Sequence, residues 1–314
     1  SNAFSPHVTP LFVFGALRSG TTLMRLMLKS HSGIHSPGEA DYLFDYIRKD
    51  SAAADGWRYD IDALQGERIW CATDTPLPEG VQGQALARGL VDALAAKSTG
   101  LMSLNIHRNA DRMATLFPDA KIIHLLRDPR DVARSSIGMG WAGNSYYGVD
   151  HWVATERGWD AANIDPARVL TVQFETLMGE LETELTRISD FLGLDFEPGM
   201  LDYHKTTTYG PPDPSIAGKW RKKATPREIA LIESKAGPLM AARGYVPDGE
   251  GQTPGGVEAL RLAAEHRIKR WQFNIRRYGA GLFFGQHAAR LLGMRGVAER
   301  LAVRQEAIRV KQLQ

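Results

Sequence analysis

The stretch FVFGALRSGTTLMRLM, residues 12–27, decides the fold. It opens on a short apolar run and passes through Gly15 and Gly20. It ends in residues whose apolar members Leu23, Leu26 and Met27 share one helical face with Ser30. A strand, a glycine-bounded loop and a helix N-terminus make an anion site: the glycines let backbone N–H groups turn inward, and the helix dipole adds positive potential there. The nucleotide-triphosphate form of this loop, G-x-x-x-x-G-K-[ST], needs a lysine for the β and γ phosphates. Here GALRSGTT keeps both glycines and the final Thr22 but has Thr21 in the lysine position, with Arg18 three residues earlier. Arg18, Ser19, Gly20, Thr21 and Thr22 offer one cation, hydroxyls and backbone donors, a set suited to a phosphate that needs neither a γ-phosphate grip nor a metal. Taken alone, SGTT also reads as a capped helix start with a solvated arginine.

Working outward, LFVFGA (11–16), KIIHLL (121–126) and RVLTVQF (168–174) are short, continuous β-rich runs of the kind buried on both faces of a parallel sheet. Each is followed by a helical pattern: Ser19 to His31, a helix from Pro129 through Val132 and Ile137, and a long one from Glu175 to Phe191. Strands alternating with helices predict an α/β fold, a central parallel sheet flanked by helices. Residues 193–218 form a loop too long for a mere connector. A helix then opens at TPRE, with Thr225 as N-cap, Pro226 in the first position and Glu228 closing a capping box, and runs through Met240 with a kink at Gly237-Pro238. PDGEGQTPGG (247–256) reads as a linker, and helical patterns cover 257–278 and 282–310.

The totals set limits. A chain of 314 residues with 43% hydrophobic content can bury a full core. There is no run of roughly 18 apolar residues to cross a membrane, so a soluble protein is expected. Cys71 is the only cysteine, which excludes an intramolecular disulfide and suits a reducing cytoplasm; it reads as a small core residue rather than a nucleophile. Residues 251–314 carry 12 Lys and Arg against 4 Asp and Glu, whereas the net charge of the whole chain is +2. A mildly acidic body therefore bears a basic tail. In that tail Ile268, Trp271, Ile275 and Tyr278 recur at helical spacing, which reads plainly as homodimer packing; a carrier protein or an anionic membrane surface are the other partners that fit, and no nucleic-acid partner is expected. His31 and His35 have an i, i+4 spacing, but Gly33 and Pro37 argue against one helix, and no metal site is expected.

A second anion motif follows the second strand. In LLRDPRDVARSS (125–136), Arg127 at the strand end and Ser135 on the next helix can face the crevice above the sheet, where ligands of open α/β sheets sit. Arg127 has the planar fork for a phosphate and Ser135 a further donor. The same letters also read as a salt-bridged helix start, with Asp128 and Asp131 pairing with Arg130 and Arg134.

Together these segments resemble the sulfotransferases. RSGTTLMRLMLKSHSGIHSPGEA is similar to the 5′-phosphosulfate loop of that family, most of all to its protein-tyrosine sulfotransferase branch and bacterial relatives, which read R-S-G-T-T-L-M-R, then H-P, then G-E. His31 is followed here by Ser32 where proline is common. The resemblance implies a P-loop-like fold, PAPS (3′-phosphoadenylyl sulfate) as co-substrate without a metal, and Glu39, 21 residues after Arg18, as general base. It also implies that Arg127 and Ser135 hold the 3′-phosphate. GKWRKKATPREIALIESKAGPLMAARGY (218–245) resembles the family's C-terminal segment, so Lys219 would touch phosphate with Trp220 packing nearby; VQFETL resembles its V-x-Y-E-x-L strand exit, with Phe174 for tyrosine. The resemblance spans about residues 8–248, an α/β domain, and leaves residues 257–314 as a basic helical extension; residues 1–3 read as an expression-tag scar. Where the branch has a transition-state lysine this chain has roughly Asn105, with His107 and Arg108 close by in sequence; the alternatives are that His107 or Arg108 substitutes, that Lys219 takes on more of the charge, or that the enzyme is slow. The expected reaction is sulfonate transfer to a hydroxyl of unidentified chemistry, with Trp141, Tyr146, Tyr147 and Trp152 open as acceptor-pocket or core residues. The alternatives are a P-loop-type small-molecule or nucleotide kinase and a non-catalytic nucleotide-binding protein.

Overall fold

A computed structural model describes residues 7–313; residues 1–6, including the expected tag scar, and residue 314 lie outside the described residues. Among the described residues seven strands occur in chain order: β1 Leu11–Phe14, β2 Ile34–Glu39, β3 Ile47–Lys49, β4 Trp57–Tyr59, β5 Leu101–Ile106, β6 Ile122–Leu126 and β7 Val169–Gln173. Five of them form one parallel sheet in the order β2-β5-β1-β6-β7, and β3 and β4 make a small antiparallel ribbon. The α/β architecture expected from the alternating runs is the observed one.

The sheet is buried because its central strands offer apolar side chains to both faces. Phe12 and Phe14 enter one cluster with Leu104, Ile106 and Phe117, while Leu11 and Val13 enter the other with Met24, Ile123 and Val172. Phe12 meets Phe44 and Phe117 edge-on at 5.7 and 5.3 Å, the geometry aromatic quadrupoles prefer.

Two strands of the main sheet went unread in the sequence, as did the β3–β4 ribbon. The edge strand β2, IHSPGE, carries Pro37, and its register with β5 shifts between His35 and Gly38. Proline is tolerated at such an edge because no ladder bond is lost. The other, β5, hides Ser103 and Asn105 between two neighbours. Other expectations shift as well. The helix expected over 175–191 is two helices, Phe174–Gly179 and Leu181–Leu192, broken where Glu180 takes φ −135° and ψ 54°. The one expected over 282–310 is also two, Ala280–Leu291 and Arg295–Leu313, separated at Gly293, whose φ of +68° ends a helix in left-handed conformation. Cys71 is exposed rather than a core residue, its thiol donating to the Gln65 carbonyl at 3.1 Å.

The chain divides into two compact units. The first holds the residues up to Val132 with His151–Lys223 and Pro238–Val246; the second holds Ala133–Asp150, Ala224–Gly237 and the residues from Pro247 onward. In the second unit the Thr225 hydroxyl accepts the Glu228 N–H at 3.1 Å and the Glu228 carboxylate accepts the Thr225 N–H at 2.8 Å, which closes the capping box. No helix among the described residues is long and apolar enough to cross a membrane.

Candidate active site

The site is built on neighbouring strands. In register, Phe14 of β1 faces His124 of β6, so the loop after β1 and the residue after β6 emerge side by side at the C-terminal edge of the sheet. The loop turns through Arg18, at φ +70°, and Gly20, at φ +96°. A Cβ on Gly15 would stand 2.6 Å from the Leu125 carbonyl oxygen, and one on Gly20 2.5 Å from the Phe174 ring. Both glycines are therefore required by close approach. The helix Thr21–Lys29 follows with no side-chain cap and no acid in its first turn. Its leading N–H groups and positive dipole end are left for an anion.

Arg18, Gly20, Thr21, Thr22 and Arg127 line one cavity of about 710 Å³, walled by Phe174 and by Tyr203 and the Tyr209–Asp213 stretch of the long loop. Ser19 is fully buried within the loop, and its hydroxyl has no hydrogen-bond partner among the described residues. Arg127 donates from Nη1 to the Arg18 carbonyl at 2.9 Å and from Nη2 to the Ile216 carbonyl at 3.4 Å, and lies 4.7 Å over the Phe174 ring. Burial pushes its guanidinium below the ordinary value, yet an arginine stays charged. With two of five N–H donors engaged, the rest remain for a ligand.

His107 is tied to the loop. Its Nε2 lies 3.1 Å from the Thr21 hydroxyl, its Nδ1 2.7 Å from Asp41, and its backbone N–H donates to the same carboxylate at 2.8 Å. All three residues are buried. The sequence reading singled out His107 and Thr21 but missed Asp41, whose only signal was its position two residues after Glu39. Asn105 donates to the Thr21 carbonyl at 3.1 Å. Arg108 is engaged by Asp45, at 2.8 Å from Nε.

Glu39 stands exposed at the C-terminal end of β2, on the same edge of the sheet as the loop but two strands away, and is not among the residues lining the cavity. Arg25, from the helix after the loop, donates to the Ser36 and Pro37 carbonyls at 3.1 and 3.3 Å and so fixes the strand just before it.

Lys219 is exposed, but the backbone around it is fixed: Asp131 accepts from the Gly218 N–H at 2.7 Å and the Trp220 N–H at 2.9 Å. Burial raises the Asp131 pKa, while these two N–H groups oppose the shift. Trp220 itself is buried, with the Arg130 guanidinium 3.7 Å and Arg221 4.5 Å over its ring, and it does not line the cavity. In the alternative salt-bridge reading of this stretch, the pair of Asp128 with Arg130 is present at 2.8 Å, while Arg134 pairs with Glu228 at 3.2 Å. Glu175 accepts from the Asp128 N–H and the Tyr245 hydroxyl, each at 2.8 Å, and burial pushes its carboxyl up. Trp152 is a core residue whose indole N–H donates to the Arg127 carbonyl at 3.1 Å. Ser135 lies half-buried on the helix Pro129–Gly138 and is counted with the second unit.

Among the described residues no group of His, Cys, Asp and Glu side chains is gathered as a metal site would require.

A parallel sheet flanked by helices, with a glycine loop leading from its central strand into a helix N-terminus, defines the P-loop-like α/β class. Within that class the chain belongs to the sulfotransferase family: residues 10–198, more than half its length, match the family model described as "Sulfotransferase family". An Aquifex aeolicus (strain VF5) protein, described only as "Uncharacterized protein", is 26% identical over 225 residues, covering 64% of this chain and 28% of that protein. A Caenorhabditis briggsae protein named "Putative protein-tyrosine sulfotransferase" is 26% identical over 215 residues, covering 62% of this chain and 69% of that protein. The chain thus matches little more than a quarter of the first relative's length. Two solved structures share the fold. The sulfotransferase domain from the curacin biosynthetic pathway aligns at TM-score 0.55 and 21% identity, covering 75% of this chain and 99% of that one. The sulfotransferase domain of the Synechococcus PCC 7002 olefin synthase aligns at 0.53 and 23%, covering 74% and 97%.

Proposed function

We propose that the protein transfers a sulfonate group from PAPS to a hydroxyl acceptor. The observation that carries this reading is the shared cavity: a glycine loop without its lysine, and Arg127 from the adjacent strand, line the same space. The unpartnered Ser19 hydroxyl inside the loop and the acid-free helix start fit a bound phosphate. In this reading the loop N–H groups, Thr21, Thr22 and Arg18 hold the 5′-phosphate, Arg127 the 3′-phosphate, and Lys219 adds charge from its stapled turn. Ser135 enters the assignment to the 3′-phosphate through the sequence resemblance alone. Trp220, with two guanidinium groups over its ring, acts by holding that turn rather than by facing the nucleotide.

The donor supplies the sulfonate, and the chain supplies position and charge. The acceptor oxygen forms a bond to sulfur as the bond from sulfur to the 5′-phosphate oxygen breaks. The hydroxyl proton passes to Glu39, and the negative charge appearing on the phosphate is met by Arg18 and the loop donors. His107, locked by Asp41, orients the Thr21 hydroxyl.

Thermal-shift titration with adenosine 3′,5′-bisphosphate against ATP·Mg²⁺ tests the donor. Stabilisation by the bisphosphate is expected; stabilisation by ATP·Mg²⁺ alone would point to a kinase and overturn the reading. Glu39→Gln is expected to lower turnover by about 10²-fold or more while bisphosphate binding persists. Unchanged turnover would remove Glu39 from the base role.

A further inference from the structure

The second unit contains a cavity of about 520 Å³, lined by none of the residues assigned above to the donor or the base. Two helices build it. Along Gly256–Tyr278, Arg267, Arg270, Trp271 and Asn274 fall on one face at helical spacing; along Ala280–Leu291, Phe283, His287 and Arg290 do the same. Trp271 meets Phe283 at 6.3 Å and His287 at 6.0 Å, so the aromatic wall is continuous between the helices.

The charge is one-sided. Three guanidinium groups line the cavity and no carboxylate does. Elsewhere in the same segment basic residues are paired, Lys269 with Glu265 at 2.8 Å and Arg309 with Glu306 at 2.7 Å. Arg267, Arg270 and Arg290 have no such ion pair among the described residues. His266 adds an oriented donor: its Nδ1 accepts the Gly143 N–H at 3.0 Å, which leaves the proton of the neutral ring on Nε2. Its ring stacks on Tyr147 at 4.4 Å and 20°. Burial and the nearby Arg270 and Lys235 charges hold the ring below its ordinary pKa, against the pull of Asp150. It therefore stays a neutral donor.

Unpaired arginines beside exposed aromatic faces suit a ligand with an anionic head and a planar body. The head takes forked N–H donors, and the body stacks on the rings. The volume lies in the range of small-molecule pockets. We infer that this cavity is a second ligand site, for the phosphate or sulfate ester of an aromatic or heteroaromatic compound no larger than a mononucleotide.

The test uses the full chain and the indole N–H resonance of Trp271, assigned by its loss in Trp271→Phe. Titrations use 4-nitrophenyl sulfate, adenosine 3′,5′-bisphosphate, inorganic sulfate and neutral 4-nitrophenol. At least one of the two aromatic esters is expected to move the resonance saturably, with Kd below about 1 mM. Whichever ester binds more tightly names the source, aryl sulfate or nucleotide. Arg267→Ala/Arg270→Ala on one helix, and Arg290→Glu on the other, are each expected to weaken that binding by about tenfold or more. Equal affinity for inorganic sulfate would overturn the aromatic half of the assignment, and equal affinity for 4-nitrophenol the anionic half. No shift with either ester, or unchanged affinity in both variants, would overturn the site.

Discussion

Gly20→Ala probes the loop most directly. Gly20 sits at φ +96° and ψ 18°, where an L-residue pays about 1–2 kcal/mol for the contact of its Cβ with the following carbonyl. The added methyl would also stand 2.5 and 2.8 Å from two carbons of the Phe174 ring. That ring cannot swing away freely, since Phe174 is 3% exposed and lies under the Arg127 guanidinium. Relief of such overpacking costs about 1–3 kcal/mol. The sum, about 2–5 kcal/mol, is a large share of a typical domain's stability. Urea unfolding of Gly20→Ala, Phe174→Leu and the double variant separates the two contributions. Removing the ring should recover the steric part and leave the backbone part, giving a favourable coupling of about 1–3 kcal/mol. A cost below about 1 kcal/mol for Gly20→Ala, or strict additivity in the double variant, would refute the argument.

Asp41→Ala strands the His107 backbone N–H and its ring nitrogen in a buried place, so unfolding measurements should show a loss of about 2–5 kcal/mol, with Asp41→Asn, which keeps one acceptor, losing less. Glu175 gives a pH test. Its carboxyl is raised by burial from an ordinary 4.5, so the folded chain binds more protons than the unfolded one between that value and the raised one. The group therefore subtracts stability as pH rises through that window and adds no further change above it. In Glu175→Gln the fall in unfolding free energy above pH 4.5 should be shallower than in the parent, and an unchanged slope would contradict it.

The amino-acid sequence alone determined three of the sheet's five strands and the loop. β1 and β6 were legible because a strand buried on both faces must be continuously apolar, and such runs leave a local pattern; β7 carries a similar β-rich run but lies at the sheet edge, with Val172 buried and Thr171 exposed. Gly15 and Gly20 were legible because only glycine allows the close approaches found there. The capping box at Thr225 was legible because both its bonds join residues three apart. The strands β2 and β5 left no such pattern: one carries a proline at an edge, and the other hides polar residues whose partners lie elsewhere in the chain. The contacts that position the site were beyond the sequence for the same reason. Thr21 meets His107 across 86 residues, His107 meets Asp41 across 66, and Asp131 holds the turn around Lys219 across 87 and 89. A hydrogen bond between distant residues has no periodicity to read. It forms only because the sheet sets those chain segments side by side, and that arrangement is decided by tertiary packing.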